Sequence, residues 1–254
     1  MEYKGEVTIK KIKVTIWNEF RHEKRIPEAM ELYPNGLHAR IKEYLDEFEE
    51  LNVRLAALDE ENQGLSDEIL NNTDVLIWWG HMYHGEVKDE LAEKIADRVF
   101  KGKMGFIGLH SAHESKPFRK IVGTTGKLSW GDNQREVVWN LFPTHPIAEG
   151  IPTHFTLETE ELYSEPFLIP QPDALVFASW FEHGNLFRSG ACFLRGLGRV
   201  FYFQPGHETC PSYHNPHVIR VIKNAVLWVN PSILPNDLSV EECPHILTKV
   251  TDEF

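Results

Sequence analysis

Short segments that are apolar at every position alternate with segments that are apolar at every third or fourth, and this rhythm is the strongest constraint on the fold. Asp74–Trp79 reads DVLIWW and Met104–Leu109 reads MGFIGL. A strand that is apolar on both faces must be covered on both, as in a parallel sheet held between helices. The β-rich stretch Val7–Trp17 contains a first strand, and NVRLAAL (Asn52–Leu58) is a second. Between them Leu37, Ile41, Leu45 and Phe48 recur at helical spacing. Val87, Leu91, Ile95 and Val99 repeat that spacing ahead of a closing Gly102. The first half is therefore a series of βαβ units.

The middle breaks the rhythm. From about Thr124 to Pro172 turn residues dominate: Gly131-Asp132-Asn133, Pro143, Pro146, Gly150 to Pro152, Pro166, Pro170 and Pro172. Short β-like pieces such as HFTLE (His154–Glu158) lie between them, so the region reads as a strand-and-loop insertion. Strands resume at Ala174–Trp180, Ala191–Gly196 and Arg199–Gly206. A last helix opens with Asn215 as N-cap and Pro216 at its first position, and carries Val218, Val221, Ile222, Ala225 and Val229 on its apolar face. The expected organisation is one domain over residues 1–230 and an extension over 231–254. In the extension, Ile233, Leu234, Leu238, Ile246 and Leu247 offer apolar surface for packing on the domain or on a second copy, which makes a homo-oligomer the expectation.

Composition matters here for what it excludes. The net charge of −12 and the absence of a Lys/Arg cluster argue against a nucleic-acid partner. The N-terminus lacks the apolar core of a signal peptide, and the apolar runs are too short to span a membrane, so no membrane partner is expected. Three widely spaced cysteines, Cys192, Cys210 and Cys243, suit a reducing compartment, and the cytoplasm is the expected location. No G-x-S-x-G, Walker A or G-x-G-x-x-G motif is present, which disfavours a nucleotide.

The thirteen histidines are unevenly placed. His22 follows the first strand, His81 and His84 follow Trp79, His110 and His113 follow Leu109, and His207 with Glu208 follows Gln204. Ligands of open parallel sheets bind outside the carboxyl ends of the strands, so these groups are expected to share one rim. Within FIGLHSAHES, Ser111 and Glu114 fit a capping box, but a helix from Ser111 would enclose Pro117. A tight turn over His110–Glu114 and a helix capped by Ser115 fit better, with Ser111 as a backbone partner. Histidines beside a helix N-terminus are held neutral, which suits metal ligation or proton abstraction. A His-rich, Cys-poor set with a carboxylate is what a divalent metal, Zn²⁺ first, would use. Glu19, Glu86, Glu114 and Glu208 are candidates for the oxygen ligand or the base. Trp79 and Tyr83 are candidate platforms for a sugar ring, whereas Trp17 and Trp78 read as core.

The segments KVTIWNEFRHEK, YPNGLHARIKEYL, DVLIWWGHMYHGEV, GFIGLHSAHESKPFRKIVGT and GRVFYFQPGHETCPSYHNPHV together resemble the ThuA-like (trehalose utilisation) family, from about Lys13 to Asn230. The resemblance implies a flavodoxin-like, class I glutamine amidotransferase-like α/β fold. This is a three-layer sandwich around a mostly parallel sheet, here with a β/loop insertion in the middle. Amidotransferases of this fold carry a cysteine on a sharp strand-to-helix turn. In this chain His110 stands at that place, and Gln204 to Glu208 replaces the late His-Pro-x-Glu. Without a thiolate, glutamine hydrolysis is excluded.

The resemblance implies action on a carbohydrate, a 3-keto sugar in particular, by histidine- and metal-assisted proton abstraction with glycosidic-bond cleavage or isomerisation. The expected catalytic residues are His110, His113, His207 and Glu208. The expected metal ligands are His22, His81, His84 and His110, and the expected substrate contacts are Asn18, Glu19, Tyr83 and Ser111. A non-catalytic sugar-binding or regulatory module, or a metal-dependent hydrolase of another small polar substrate, are the alternatives.

Overall fold

A computed structural model describes residues 11–231. Most of the expected extension, 231–254, and the start of the first β-rich stretch lie outside the described residues. The sheet is built from β1 (Ile12–Asn18), β2 (Leu51–Ala57), β3 (Val75–Trp79), β4 (Gly105–Leu109), β5 (Ser129–Asn140), β6 (His154–Ser164), β7 (Ala174–Phe181), β8 (Leu186–Arg195) and β9 (Gly198–Phe203). Their order is β2-β1-β3-β4-β9-β8-β7-β5-β6. The first five of these run parallel to one another. Counted without the insertion they follow the flavodoxin order, with the switch point between β1 and β3.

The sheet is mixed, with five of its nine strands parallel. β5 to β8 continue it as antiparallel strands. The expected strand-and-loop insertion thus holds two long strands, β5 and β6. β5 was hidden because it begins SWGDNQR, largely exposed, whereas the first part of β6 had shown in HFTLE.

Helices α2 (Leu37–Leu45) and α6 (Pro216–Val229) cover one face, and α4 (Asp89–Phe100) and α5 (Lys116–Val122) cover the other. Two short helices, α1 (Pro27–Leu32) and α3 (Asp67–Asn71), complete the set. The helical stripes are the buried ones: Leu91, Ile95 and Val99 on α4, and Val218, Val221, Ile222, Ala225 and Val229 on α6. Each large member contributes about 1.5–3 kcal/mol of burial. Asn215 caps α6, its Oδ1 accepting from the His217 amide at 2.9 Å. Trp17 and Trp78 stack at 3.7 Å in the core, as expected.

The stretch after β4 forms a 3₁₀ turn over His110–Glu114, and Ser115 Oγ then caps α5. Gly123 closes that helix at φ 74°, a left-handed position natural to glycine. Gly206, at φ 140°, makes the corresponding turn after β9, where any side chain would run into the Tyr213 hydroxyl.

Candidate active site at the carboxyl ends of the parallel strands

His110 directly follows β4 and adopts φ 51°, a left-handed conformation that costs a non-glycine residue of order 1–3 kcal/mol. Two contacts hold it there. Its Nδ1–H donates to the Gln204 carbonyl at 3.1 Å, so in the neutral ring Nε2 is the unprotonated nitrogen. Nε2 lies 3.1 Å from Glu161 Oε2 and 3.4 Å from the Tyr163 hydroxyl. Burial opposes a charge on this ring, but Glu161, Glu160 and Glu208 outweigh it and hold the His110 pKa above its ordinary value. Burial likewise favours the neutral form of Glu161, and the His110 pair reverses that, so its carboxyl is held low.

The expected rim forms. His81, which follows β3, donates Nδ1–H to Glu208 at 3.0 Å. Glu208 is buried, and against that burial the His81 bond and the His207 and His22 rings bring its pKa down to about 2. His207 differs from its neighbours: its Nδ1 accepts the Thr209 amide at 3.2 Å, which leaves the proton of the neutral ring on Nε2. Burial first, and then His110, lowers its pKa to about 4. His81, His110, His207 and Glu161 each offer one ligand atom, all within 4.8 Å of one another. A second such group, His22, His81 and Glu208, shares His81 with the first.

A cavity of about 550 Å³ opens over the first group, lined among others by Ser111, His113, Glu161, Tyr163 and His207. Ser111 Oγ and the Tyr163 hydroxyl are 2.6 Å apart. His113 donates Nδ1–H to the Gly126 carbonyl at 2.6 Å, and burial lowers its pKa to about 3.

Other expected residues take other places. His84 joins neither ligand group; it lies 3.9 Å from Glu19, and burial lowers its pKa to about 4. His22 is buried on the far side of Glu208, 3.8 Å from it. Asn18 does not reach the cavity: it is buried and donates to Glu23 at 2.6 Å. Glu19 is buried too, and accepts from the Met82 and Tyr83 amides, so it shapes the loop that carries His81. Tyr83 packs under Arg21 and lines a separate cavity of about 250 Å³ with His22 and Glu208. Glu86 is engaged by Arg21, and Glu114 by Lys127 at the cavity rim. Trp79 is buried, and its indole donates to the Gly206 carbonyl.

Two residues of the pocket had no place among the expected ones, Glu161 and Tyr163, both on β6 of the insertion. The signal was LETEELYS: adjacent carboxylates in a strand-like run, where glutamate is depleted, are unusual.

The pocket of histidines and carboxylates thus lies at the strand ends of a flavodoxin-like sheet, with His110 in the turn after β4. The chain belongs to the ThuA family, described as trehalose utilisation, whose model matches residues 13–229. No curated protein matches it. Among solved structures it is similar to a ThuA-like protein from Bacteroides uniformis. The TM-score is 0.65 at 14% identity, over 92% of this chain and 100% of that one. A ThuA-like protein from Parabacteroides merdae gives 0.59 at 13% identity, over 87% and 90%. A cytoplasmic protein from Salmonella typhimurium gives 0.54 at 13% identity, over 86% and 99%. Among the described residues no helix is long and apolar enough to cross a membrane.

Proposed function

We propose that this protein is an enzyme of sugar metabolism that takes a proton from the carbon beside the keto group of a 3-keto disaccharide and so cleaves or isomerises it. The observation that carries this reading is the convergence of His81, His110, His207 and Glu161, from four separate strand ends or strands, under one cavity. The family description supports a disaccharide-derived substrate.

A divalent ion fits the donors. Glu161 Oε2 is buried and faces His110 Nε2 at 3.1 Å, so an ion could take the place of the shared proton between them. His81 and His110 each spend Nδ1–H on an oxygen acceptor, the arrangement that orients a ligating imidazole. His81, His110 and Glu161 would hold the ion; when bound, it would polarise a substrate oxygen as a Lewis acid.

The remaining chemistry belongs to the chain. His113, fixed by the Gly126 carbonyl, has its unprotonated nitrogen on Nε2 and takes the proton from carbon. The C–H electron pair moves toward the keto oxygen, which accepts a hydrogen bond from His207 Nε2–H. As that pair returns, the C–O bond to the neighbouring glycosidic oxygen breaks, and the leaving oxygen takes up the proton held by His113. In isomerisation the proton of the hydroxyl on the deprotonated carbon passes to the former keto oxygen, and His113 returns its proton to the former keto carbon.

The test is turnover of 3-keto-trehalose together with metal content. Wild type should turn over the substrate with one zinc or similar ion per chain, and His110→Ala, His113→Gln and Glu161→Gln should each lose at least about 100-fold in kcat. Saturable sugar binding with no turnover and no metal would instead identify a non-catalytic sugar-binding module. Turnover unaffected by His110→Ala and His113→Gln would refute the proposed roles.

A further inference from the structure

The cavity is larger than its reactive end. Beyond the histidines and Tyr163 its walls are Met82, Leu128 and Trp130, with Lys127 and Glu114 paired at 2.6 Å beside them. Trp130 is 72% exposed, the most exposed large apolar side chain among the described residues. An indole left in water forgoes the burial that aromatic rings normally gain, and at the mouth of a polar cavity that surface is available to a ligand.

Its position follows from the strand register. Trp130 on β5 pairs directly with Tyr163 on β6, so the two side chains stand on one face of the sheet. Tyr163 is the buried member, against His110 and Ser111; Trp130 is the outer member. A β-bulge between Gly131 and Asn133 then resets the register, and Asn133 pairs with Glu161. The strand pair that delivers Glu161 to the reactive end thereby also fixes an aromatic platform at the entrance.

We infer that Trp130 is the platform of an outer subsite that stacks on the second pyranose ring of the substrate while the first ring lies over His110 and Glu161. A pyranose has an apolar C–H face and a rim of hydroxyls. The indole and Leu128 match the face, and the Lys127–Glu114 pair matches the rim. A volume of about 550 Å³ falls within the roughly 300–1,000 Å³ typical of ligand cavities and leaves room for two rings. The inference rests on the carbohydrate reading above and adds to it that discrimination between disaccharide and monosaccharide resides in Trp130.

The experiment titrates trehalose and glucose, followed by saturation-transfer NMR, into wild type, Trp130→Ala, Trp130→Phe and Trp180→Ala. Trp180 is the control: it is 55% exposed but lines none of this cavity. In Trp130→Ala the trehalose Kd should rise about tenfold, equivalent to about 1.4 kcal/mol. It should stay within about twofold in Trp130→Phe and Trp180→Ala, since a phenyl ring still stacks. Glucose should respond within about twofold throughout, as only the inner ring is present. Unchanged trehalose affinity in Trp130→Ala, or an equal loss for glucose, overturns the inference and leaves the carbohydrate reading standing. A wild type that binds neither sugar overturns the inference, while turnover of 3-keto-trehalose still decides the carbohydrate reading.

Discussion

At the scale of the residue, His110 trades backbone comfort for position. Its left-handed φ is one that asparagine tolerates better than most side chains. His110→Asn should therefore fold, with Tm within about 5 °C of wild type, because relief at the backbone offsets part of the lost contacts. It should fail as a ligand and lose at least about 100-fold in turnover. The rise in Tm on adding zinc, about 2.7 kcal/mol of stabilisation at a hundredfold excess over Kd in wild type, should vanish. A variant that keeps the zinc-dependent rise would remove His110 from the ligand set. The position of His110 at a strand end was legible in the sequence, since it directly follows an apolar strand. Which nitrogen it presents was not, because Gln204, whose carbonyl fixes the tautomer, lies 94 residues away.

At the scale of the element, β6 ties the insertion to the site. Glu160 is fully buried. Its Oε1 accepts from the Glu161 and His207 amides at 2.9 and 3.1 Å, and its Oε2 from the Gly206 amide at 2.8 Å and from Ser212 Oγ. One side chain thus fixes the backbone beneath both Glu161 and His207. Glu160→Gln turns one acceptor into a donor facing at least one amide, so it should cost about 3 kcal/mol in urea unfolding and weaken zinc binding as well. Equal stability would mean that this anchor carries no weight. Asn215→Ala, which removes the cap of α6 remote from the ligand group, should cost about 1 kcal/mol and leave zinc binding unchanged. The parallel strands and the amphipathic helices announced themselves because both covered faces demand apolar residues. β5 did not, because it is exposed along its first half, and β6 did so only in HFTLE, because beyond it the strand carries the polar groups Glu160 and Glu161.

At the scale of the whole molecule, gathering histidines into a buried rim sets the response to acid. Burial lowers the pKa of His22, His38, His84, His113, His145 and His207. Each contributes stability that is fully present above the unfolded imidazole value, about 6.5, and is lost as the pH falls through its folded value. For His38, His84 and His207 that folded value is about 4. Burial also raises Glu19, Glu136 and Glu160, and these act in the opposite sense, favouring the fold as the pH drops toward the ordinary carboxyl range. His110, whose pKa is raised by its carboxylate neighbours, acts with the three carboxyls, and the six lowered imidazoles outnumber these four groups. The Tm of the metal-free protein should therefore fall steadily from pH 7 to pH 5. His38 isolates the effect, because it lies outside both ligand groups, in the Asn18–Glu23 network under the β1 loop. Replacing it with glutamine removes one proton from the balance and should flatten the slope of stability by about 1.4 kcal/mol per pH unit between about pH 4 and 6.5. A metal-free wild type with a level or rising Tm on acidification would show that the buried carboxyls, and not the histidine rim, dominate the proton balance of this fold.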